Sequence, residues 1–255
     1  MNPGLRGFGR LVGMLAVALI TLQLYFLLRI ALMAVVAPQS TTFQRSEIWR
    51  IVVEKHQLPW AQDSVPGDRI SDNLRRAVIA SEDAGFVEHH GVEWDAVEKA
   101  WTKNEKAQAR AEAQHARAST RRGRDGKPRE VVAKVVGGST ISQQLAKNLF
   151  LSGERNILRK GQELVITLML ELVLGKERIL TTYLNNVEWG EGVFGAQAAA
   201  QHYFHTAAAT LGPAQAARLA VMLPAPKRFE KSPASPYVLG RSATIVARMG
   251  GVDLP

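Results

Sequence analysis

The residue types best suited to chemistry occur together between Gly137 and Glu163. Two glycines open this stretch and let the backbone turn sharply or approach a ligand, and Ser139 follows as a predicted helix N-cap. Apolar residues then recur every fourth position, so polar residues three and four apart share a separate helical face. This polar patch consists of Gln144, Lys147 and Asn148, with Thr140 one turn earlier. Two amides beside an ammonium group suit the binding of an oxyanion.

A second pair follows a predicted break at Ser152 and Gly153. Arg159 and Glu163 lie four residues apart, on one face of the next predicted helix. An ordinary surface ion pair has the same spacing and contributes only about 0.3–0.5 kcal/mol. A patch of Gln, Lys and Asn is likewise common on solvated helix faces. By themselves, these two patterns favour a structural interpretation.

Two adjacent acids, Glu82 and Asp83, end a predicted helix that begins near Ser71 and Asp72. A carboxylate at this end faces the negative end of the helix dipole, which disfavours its charged form and raises its pKa. A group that accepts a proton during catalysis benefits from such a pKa. Adjacent acids at helix ends are also common on protein surfaces, so the pair alone does not establish a catalytic site.

The elements that would position these residues are predicted to be helices. Helical apolar spacing continues beyond Glu163 to a predicted C-cap at Gly175. Further helices are predicted at about 44–55, 176–185, 195–203, 213–223 and 236–249. No alternating strand pattern of convincing length occurs, although residues 131–136 suit a short extended segment. The sequence therefore predicts a mainly α-helical domain.

The composition limits the classes of site and partner. The chain has 255 residues, 46% of them apolar, which is enough for one substantial domain with a core. Its net charge of +9 favours anionic partners such as diphosphates, acidic lipid surfaces or nucleic acid. The absence of cysteine excludes disulfides and thiolate metal sites. The histidines show no metal-ligand spacing to an acid, so we predict no metal site.

An almost wholly apolar segment runs from Leu11 to Ala37, with Gln23 inside it and Arg29 as its one charged residue. About 20 apolar residues span a bilayer as a helix, so we predict a transmembrane helix at 11–37 after a short N-terminus at 1–10. The alternative is a cleaved signal peptide, whose apolar run is usually shorter, about 7–15 residues. Basic residues flank both ends, so the positive-inside count leaves the orientation open. Residues 38–70 are predicted to form a linker with one short helix.

Residues 103–130 differ from the rest of the chain. They are rich in Lys and Arg and contain no large apolar residue, so they cannot build a core. This composition favours a solvated basic loop, with a nucleic-acid patch as the second interpretation. The segment has no aromatic residue on which bases could stack, which weakens the second interpretation.

Four motifs occur in order along the chain. Residues 81–91 read SEDAGFVEHHG, residues 137–151 read GGSTISQQLAKNLFL, residues 159–163 read RKGQE and residues 183–204 read YLNNVEWGEGVFGAQAAAQHYF. Together they resemble the bacterial peptidoglycan glycosyltransferases, and more narrowly the monofunctional biosynthetic transglycosylases, which lack a penicillin-binding domain. The resemblance covers about residues 70–230.

The resemblance implies a lysozyme-like, two-lobed helical glycosyltransferase domain at 71–255, preceded by one transmembrane helix. The implied reaction polymerises lipid II into β-1,4-linked glycan strands and releases undecaprenyl diphosphate, with inversion and without transpeptidase activity. The domain would lie in the periplasm on a single span in the inner membrane, with 103–130 as an insertion that overhangs the cleft. Implied partners are lipid II, the growing lipid-linked glycan, the membrane and other cell-wall synthesis or division proteins, but no nucleic acid.

The resemblance also implies roles for individual residues. Glu82 would be the base that activates the acceptor hydroxyl, and Glu163 the second catalytic carboxylate. Asp83, Phe86 and His89 would support Glu82.

The remaining implied roles concern the donor substrate. Lys147 and Arg159 would bind the departing diphosphate, and Glu163 could orient Arg159 or a sugar. The donor would be positioned by Thr140, Gln144 and Asn148. No cofactor is required, although a divalent cation, Mg²⁺ or Mn²⁺, could accompany the diphosphate.

Two other functions stay open at this point. Lysozyme-like hydrolases and lytic transglycosylases that cleave peptidoglycan also rely on a glutamate, but they need no cationic pair aimed at a diphosphate. A non-catalytic, membrane-anchored scaffold or nucleic-acid-binding protein could instead use the basic loop. The chain departs from the family pattern at Thr181, Gln197, His205 and Thr206, so we assign no role to these positions.

Overall fold

The computed structural model of the protein describes residues 3–94, 98, 102, 138–151 and 156–255. The predicted basic loop at 103–130, the extended segment at 131–136 and the break at 152–153 lie outside these residues. The chain forms two compact units, one of residues Met1–Gly91 and Ile141–Pro255 and a smaller one of residues Val92–Thr140. The first unit contains most of the candidate site residues.

The described part of the first unit is mainly α-helical, as predicted. Its helices are α1 (Pro3–Met33), α2 (Thr42–Lys55), α3 (Asp72–Glu82), α4 (Ile141–Phe150), α5 (Ile157–Asn186), α6 (Ala196–Phe204), α7 (Pro213–Met222), α8 (Pro226–Phe229) and α9 (Pro236–Met249). Short 3₁₀ turns occur at Gly67–Arg69 and Ala208–Thr210.

A small sheet, which the sequence did not predict, joins segments on either side of α3 to α5. Its strands are β1 (Ala61–Gln62), β2 (Glu188–Gly190) and β3 (Val193–Phe194), in the order β1-β3-β2. β3 pairs in parallel with β1 and antiparallel with β2. Strands of two or three residues are too short to show an alternating pattern, which is why the sequence gave no sign of them.

Two groups of helices build the core around the site. α3, α7 and α9 pack against one another, with Leu74, Leu219 and Ile245 buried between them. α4 packs along α5, where Leu145 and Ile166 are buried. This arrangement places the C-terminal end of α3 next to α4 and α5.

Helix α5 changes direction at Gly175, which has φ 69° and ψ 164°. The sequence predicted a helix end there, followed by a new helix at about 176–185, and the structure agrees, because the non-helical dihedral angles of Gly175 divide α5 into two helical parts that meet at a kink. A positive φ at this position favours glycine, because a Cβ would clash with the backbone.

Helix α1 contains an apolar segment, Gly7–Met33, of 27 residues with mean hydropathy 2.3. The helix begins before the predicted span, at Pro3. Phe26, Ile30 and Met33 are buried on one face of its C-terminal part, and the Phe26 ring meets Phe150 of α4 edge-on at 5.4 Å. The length and composition fit a single-pass membrane anchor, and a signal sequence near the N-terminus would pass the same test.

Candidate active site

The carboxylate of Glu82 lies at the C-terminal end of α3, half-buried and held by a side chain from α4. Gln144 Nε2 donates a hydrogen bond to Glu82 Oε2 at 3.0 Å. Tyr183 OH in turn donates to Gln144 Oε1 at 2.9 Å. Because its oxygen is already engaged by Tyr183, the amide of Gln144 presents its nitrogen to Glu82. Three helices therefore fix the orientation of one carboxylate.

The pKa of Glu82 is raised above its ordinary value of 4.5. Burial is the main cause and the negative charge of Asp83 adds to it, whereas the hydrogen bond from Gln144 acts in the opposite direction. The sequence predicted a raised pKa from the helix dipole, so the direction agrees, but the principal cause is burial. A carboxylate tuned in this way is suited to accept a proton.

Tyr183 is a member of the site that the sequence prediction missed. Its side chain is fully buried, and burial together with the charges of Glu82 and Asp83 raises its pKa well above 10.0. The phenol therefore stays neutral and acts as a hydrogen-bond donor. Its position in the motif at 183–204 was visible, but its contact with Gln144 joins residues 39 apart in sequence.

Asp83 supports the site by connecting two elements. Its side chain is buried, and Oδ2 accepts a hydrogen bond from the backbone N–H of Ile141 at 2.9 Å. Ile141 is the first residue of α4, so the carboxylate lies at the positive end of that helix dipole. Asp83 thus fixes the start of α4 relative to the end of α3.

His89 forms a hydrogen bond with Asp83, 2.8 Å from Nε2 to Oδ1. Its other ring nitrogen, Nδ1, accepts from the backbone N–H of Gly91 at 3.1 Å. The bond from Gly91 to Nδ1 places the ring proton on Nε2, which donates to Asp83. The left-handed φ of 87° at Gly91 shapes this turn.

A partly buried ion pair lies beneath the same turn. Lys176 Nζ is 4.6 Å from the ring centroid of the buried Phe86 and 2.8 Å from Glu171 Oε1. Ser142 of α4 donates to the same carboxylate oxygen at 2.5 Å. The sequence prediction included Phe86 but missed its three neighbours. Side chains five residues apart point in different directions on a straight helix. Lys176 and Glu171 meet because α5 kinks at Gly175 between them.

The predicted diphosphate ligands lie on α4 and α5, which pack against each other. Lys147 is exposed and Asn148 is buried, three and four residues after Gln144 on α4. Thr140, the last residue of the smaller unit, is buried and directly precedes α4.

Arg159 and Glu163 contact each other at the start of α5. Arg159 Nη1 is 3.0 Å from Glu163 Oε2, and Lys160 pairs with the other oxygen of this carboxylate. Glu163 is only 3% exposed, so two cations of its own helix compensate its buried charge. Arg159 Nε is buried and has no hydrogen-bond partner within the described part of the chain.

The arrangement combines a proton acceptor with cations on neighbouring helices. Among the described residues, no group of three His, Asp or Glu side chains could hold a metal ion. A proton acceptor and cations carried by helices that pack together suit a transfer reaction in which a hydroxyl attacks and an anionic group leaves.

Comparison with known proteins identifies the family of the chain. The sequence profile described as "Transglycosylase" matches residues 52–122 and 125–250. The biosynthetic peptidoglycan transglycosylase of Cupriavidus metallidurans is 52% identical over 98% of this chain and 100% of its own length. Proteins of the same name from Paraburkholderia xenovorans and Bordetella pertussis are 47% and 50% identical, over 100% and 86% of this chain and 96% and 82% of their own lengths. The chain therefore belongs to the transglycosylase family.

Proposed function

We propose that this chain polymerises lipid II into β-1,4-linked glycan strands and releases undecaprenyl diphosphate. The relatives are named biosynthetic, which supports synthesis over cleavage of peptidoglycan. The observation that carries the proposal is the half-buried, oriented carboxylate of Glu82, whose partner Gln144 shares a helix with Lys147.

In the proposed reaction, Glu82 removes the proton from the 4-hydroxyl of the acceptor sugar. The freed oxygen attacks the anomeric carbon of the donor, and the diphosphate leaves from the opposite face with the bonding electron pair. Inversion converts an α-linked diphosphate into a β-linked glycan. Lys147 and Arg159 stabilise the charge on the leaving diphosphate, Lys147 as a point charge and Arg159 through its planar donors.

The other site residues position these groups in our proposal. Asp83 and His89 hold the turn after α3 against the start of α4. The ring of Phe86 packs under this turn and contacts the ammonium group of Lys176. Glu163 orients Arg159 through their ion pair. The donor is positioned by Thr140, Gln144 and Asn148. A divalent cation, Mg²⁺ or Mn²⁺, would bind here through the diphosphate oxygens of the substrate.

We further propose that α1 stays attached as a single span in the inner membrane, with the catalytic unit in the periplasm. Lipid II and its product are anchored in the same membrane, so this location keeps the enzyme at its substrate. Other cell-wall synthesis or division proteins would act beside it.

The proposal is tested by supplying the purified full-length protein with lipid II and analysing the products by gel electrophoresis. We expect lipid-linked glycan chains, which a muramidase digests, and at least about a tenfold lower rate for Lys147→Ala. Glu54→Gln, an exposed change on α2, should leave the rate unaltered. Soluble anhydro-sugars or reducing fragments released from finished cell wall, without polymer, would instead identify a cleaving enzyme.

A further inference from the structure

A cavity lies where helix α1 ends. Its volume is about 360 Å³, within the range of small-ligand pockets. One wall is the segment after α1, including Val35 and Pro38, and another is the C-terminal half of α5. Arg178, Thr181 and Asn186 are among the residues of α5 that line this wall.

The cavity and the active site use different faces of α5. Arg178, Thr181 and Asn186 are three to eight residues apart and share one helical face. At about 100° per residue, Tyr183 points roughly 130° away from the middle of that face. Tyr183 contacts the Glu82 site, so the cavity is a separate feature of the same helix.

Arg178 supplies a cation at the end of the apolar helix. The side chain is half-buried, and its Nε donates to the backbone carbonyl of Met33, the last residue of α1, at 2.9 Å. Its two Nη atoms make no hydrogen bond or ion pair within the described residues. These donors form a planar fork that matches two phosphate oxygens.

Asn186 supplies an unused acceptor in the same cavity. The residue is 2% exposed, and its Nδ2 donates to the carbonyl of Thr182 at 2.8 Å. Its Oδ1 is buried without a hydrogen-bond partner in the part of the chain that the structure describes. Asn186 therefore adds a polar side chain to the wall of the cavity.

The backbone around the cavity keeps it open. A Cβ at Gly67 would lie only 2.7 Å from Thr181 Oγ1, so any larger residue here would displace the Thr181 side chain that lines the cavity. Beside the opening, the apolar residues of α1 and the segment after it are exposed: Leu28 by 70%, Leu32 by 54% and Val35 by 84%. An exposed apolar surface next to a polar cavity suits a ligand with a polar head and acyl chains.

From these observations we propose that the cavity binds the headgroup of a membrane glycerophospholipid. The phosphodiester binds the Nη atoms of Arg178, the polar part of the headgroup lies in the cavity lined by Thr181 and Asn186, and the acyl chains follow the exposed face of α1. This inference rests on the proposed membrane anchoring of α1. The bound lipid joins the anchor to α5 without taking part in glycan transfer.

The test uses the full-length protein in a non-ionic detergent and native mass spectrometry. Short-chain phosphatidylglycerol and phosphatidylethanolamine are titrated in separate samples, with inorganic phosphate as a third. We expect one lipid per chain, at least about tenfold weaker binding for Arg178→Gln, and loss of binding for Ser64→Leu, which fills the opening from an exposed position that lines the cavity. Arg45→Gln removes an exposed charge after the same helix, outside the cavity, and should bind like the parent protein.

Three results would overturn the inference: equal binding by the parent protein and Arg178→Gln, equal weakening by Arg45→Gln, or phosphate bound as tightly as lipid. Thermal unfolding of each variant confirms that it is folded. Turnover of lipid II is measured on the same preparations and should be unchanged in Arg178→Gln. Because lipid binding is read directly, failure of the polymerase proposal and failure of the lipid site are distinguished.

Discussion

At the scale of single residues, the site depends on one amide whose two ends are both used. Gln144 accepts from Tyr183 and donates to Glu82, so the phenol indirectly orients the proposed base. The motif resemblance pointed to Glu82 and Gln144, but no local pattern could show that Tyr183 lies behind them. Likewise, Lys176 faces Glu171 only because the chain kinks between them. Contacts of this kind depend on tertiary packing, which is why sequence periodicity did not reveal them.

The hydrogen bond from Gln144 predicts a shift in the pH dependence of polymerisation. Because burial raises the pKa of Glu82, kcat/KM should fall on acidification at a pH above 4.5. Gln144→Leu removes a hydrogen bond that lowers this pKa, so the acid limb should move to higher pH. The profile is measured with lipid II between about pH 4 and pH 9, with exposed Gln201→Leu as the control. An acid limb unchanged in Gln144→Leu would disprove the assignment of that limb to Glu82.

At the scale of elements, a reciprocal amide pair joins α1 to α5. Gln23 Nε2 donates to Gln162 Oε1 at 2.9 Å, and Gln162 Nε2 donates to Gln23 Oε1 at 3.0 Å. Gln23 lies within the apolar segment, where an unpaired amide is unfavourable. Its neighbours on α1, Phe26 and Ile30, are buried on the same face. The pair therefore fixes the register of the apolar helix against the helix that carries Glu163.

This pair predicts non-additive effects on stability. Gln23→Leu and Gln162→Leu should each lower the free energy of unfolding by about 1 kcal/mol, because each leaves one amide unpaired. The double variant should lose less than the sum, by roughly 0.6–2 kcal/mol. Unfolding is followed in detergent micelles, and Gln23→Leu combined with Gln201→Leu supplies an additive control. If the effects of Gln23→Leu and Gln162→Leu on the free energy of unfolding were also additive, the contact between these two side chains would contribute nothing to stability.

The helices themselves were largely predictable from the sequence. The predicted helix at 44–55 is α2 (Thr42–Lys55), and the acids at 82 and 83 do lie at a helix end. Apolar spacing and caps act locally, so they identify helices well. The same local signals located the break at Gly175 between the two parts of α5. They do not determine the angle between these parts, which depends on the packing of neighbouring elements.

At the scale of the whole first unit, a partly buried charge cluster joins α2 to the segments after α5. Lys227 lies between Glu47 of α2 and Glu188 of β2, 3.5 Å from Glu188 Oε1. Arg50 also pairs with Glu47. Burial, with the charge of Glu47, raises the pKa of Glu188 to about 7 despite the opposing charges of Lys227 and Arg50. No sequence pattern connects these residues, since Glu47 and Lys227 are 180 positions apart.

The raised pKa predicts how stability depends on pH. Glu188 is protonated in the folded state below about pH 7, whereas in the unfolded chain it ionises above about 4.5. The folded state therefore binds more protons in this window, and the free energy of unfolding should fall as pH rises from about 4.5 to about 7, by up to roughly 3 kcal/mol. Glu188→Gln should remove the contribution of this residue and so make the fall smaller, while the raised pKa of Glu82 contributes in the same direction. Thermal unfolding across the window checks it, with exposed Glu54→Gln as control; an unchanged slope in Glu188→Gln would refute this origin.

The most direct measurement of the central claim separates substrate binding from turnover in Glu82→Gln. If Glu82 is the base, this variant should bind lipid II with a Kd within about threefold of the parent protein, yet polymerise it roughly 100- to 10,000-fold more slowly. Near-normal polymerisation by a correctly folded Glu82→Gln protein would contradict the account.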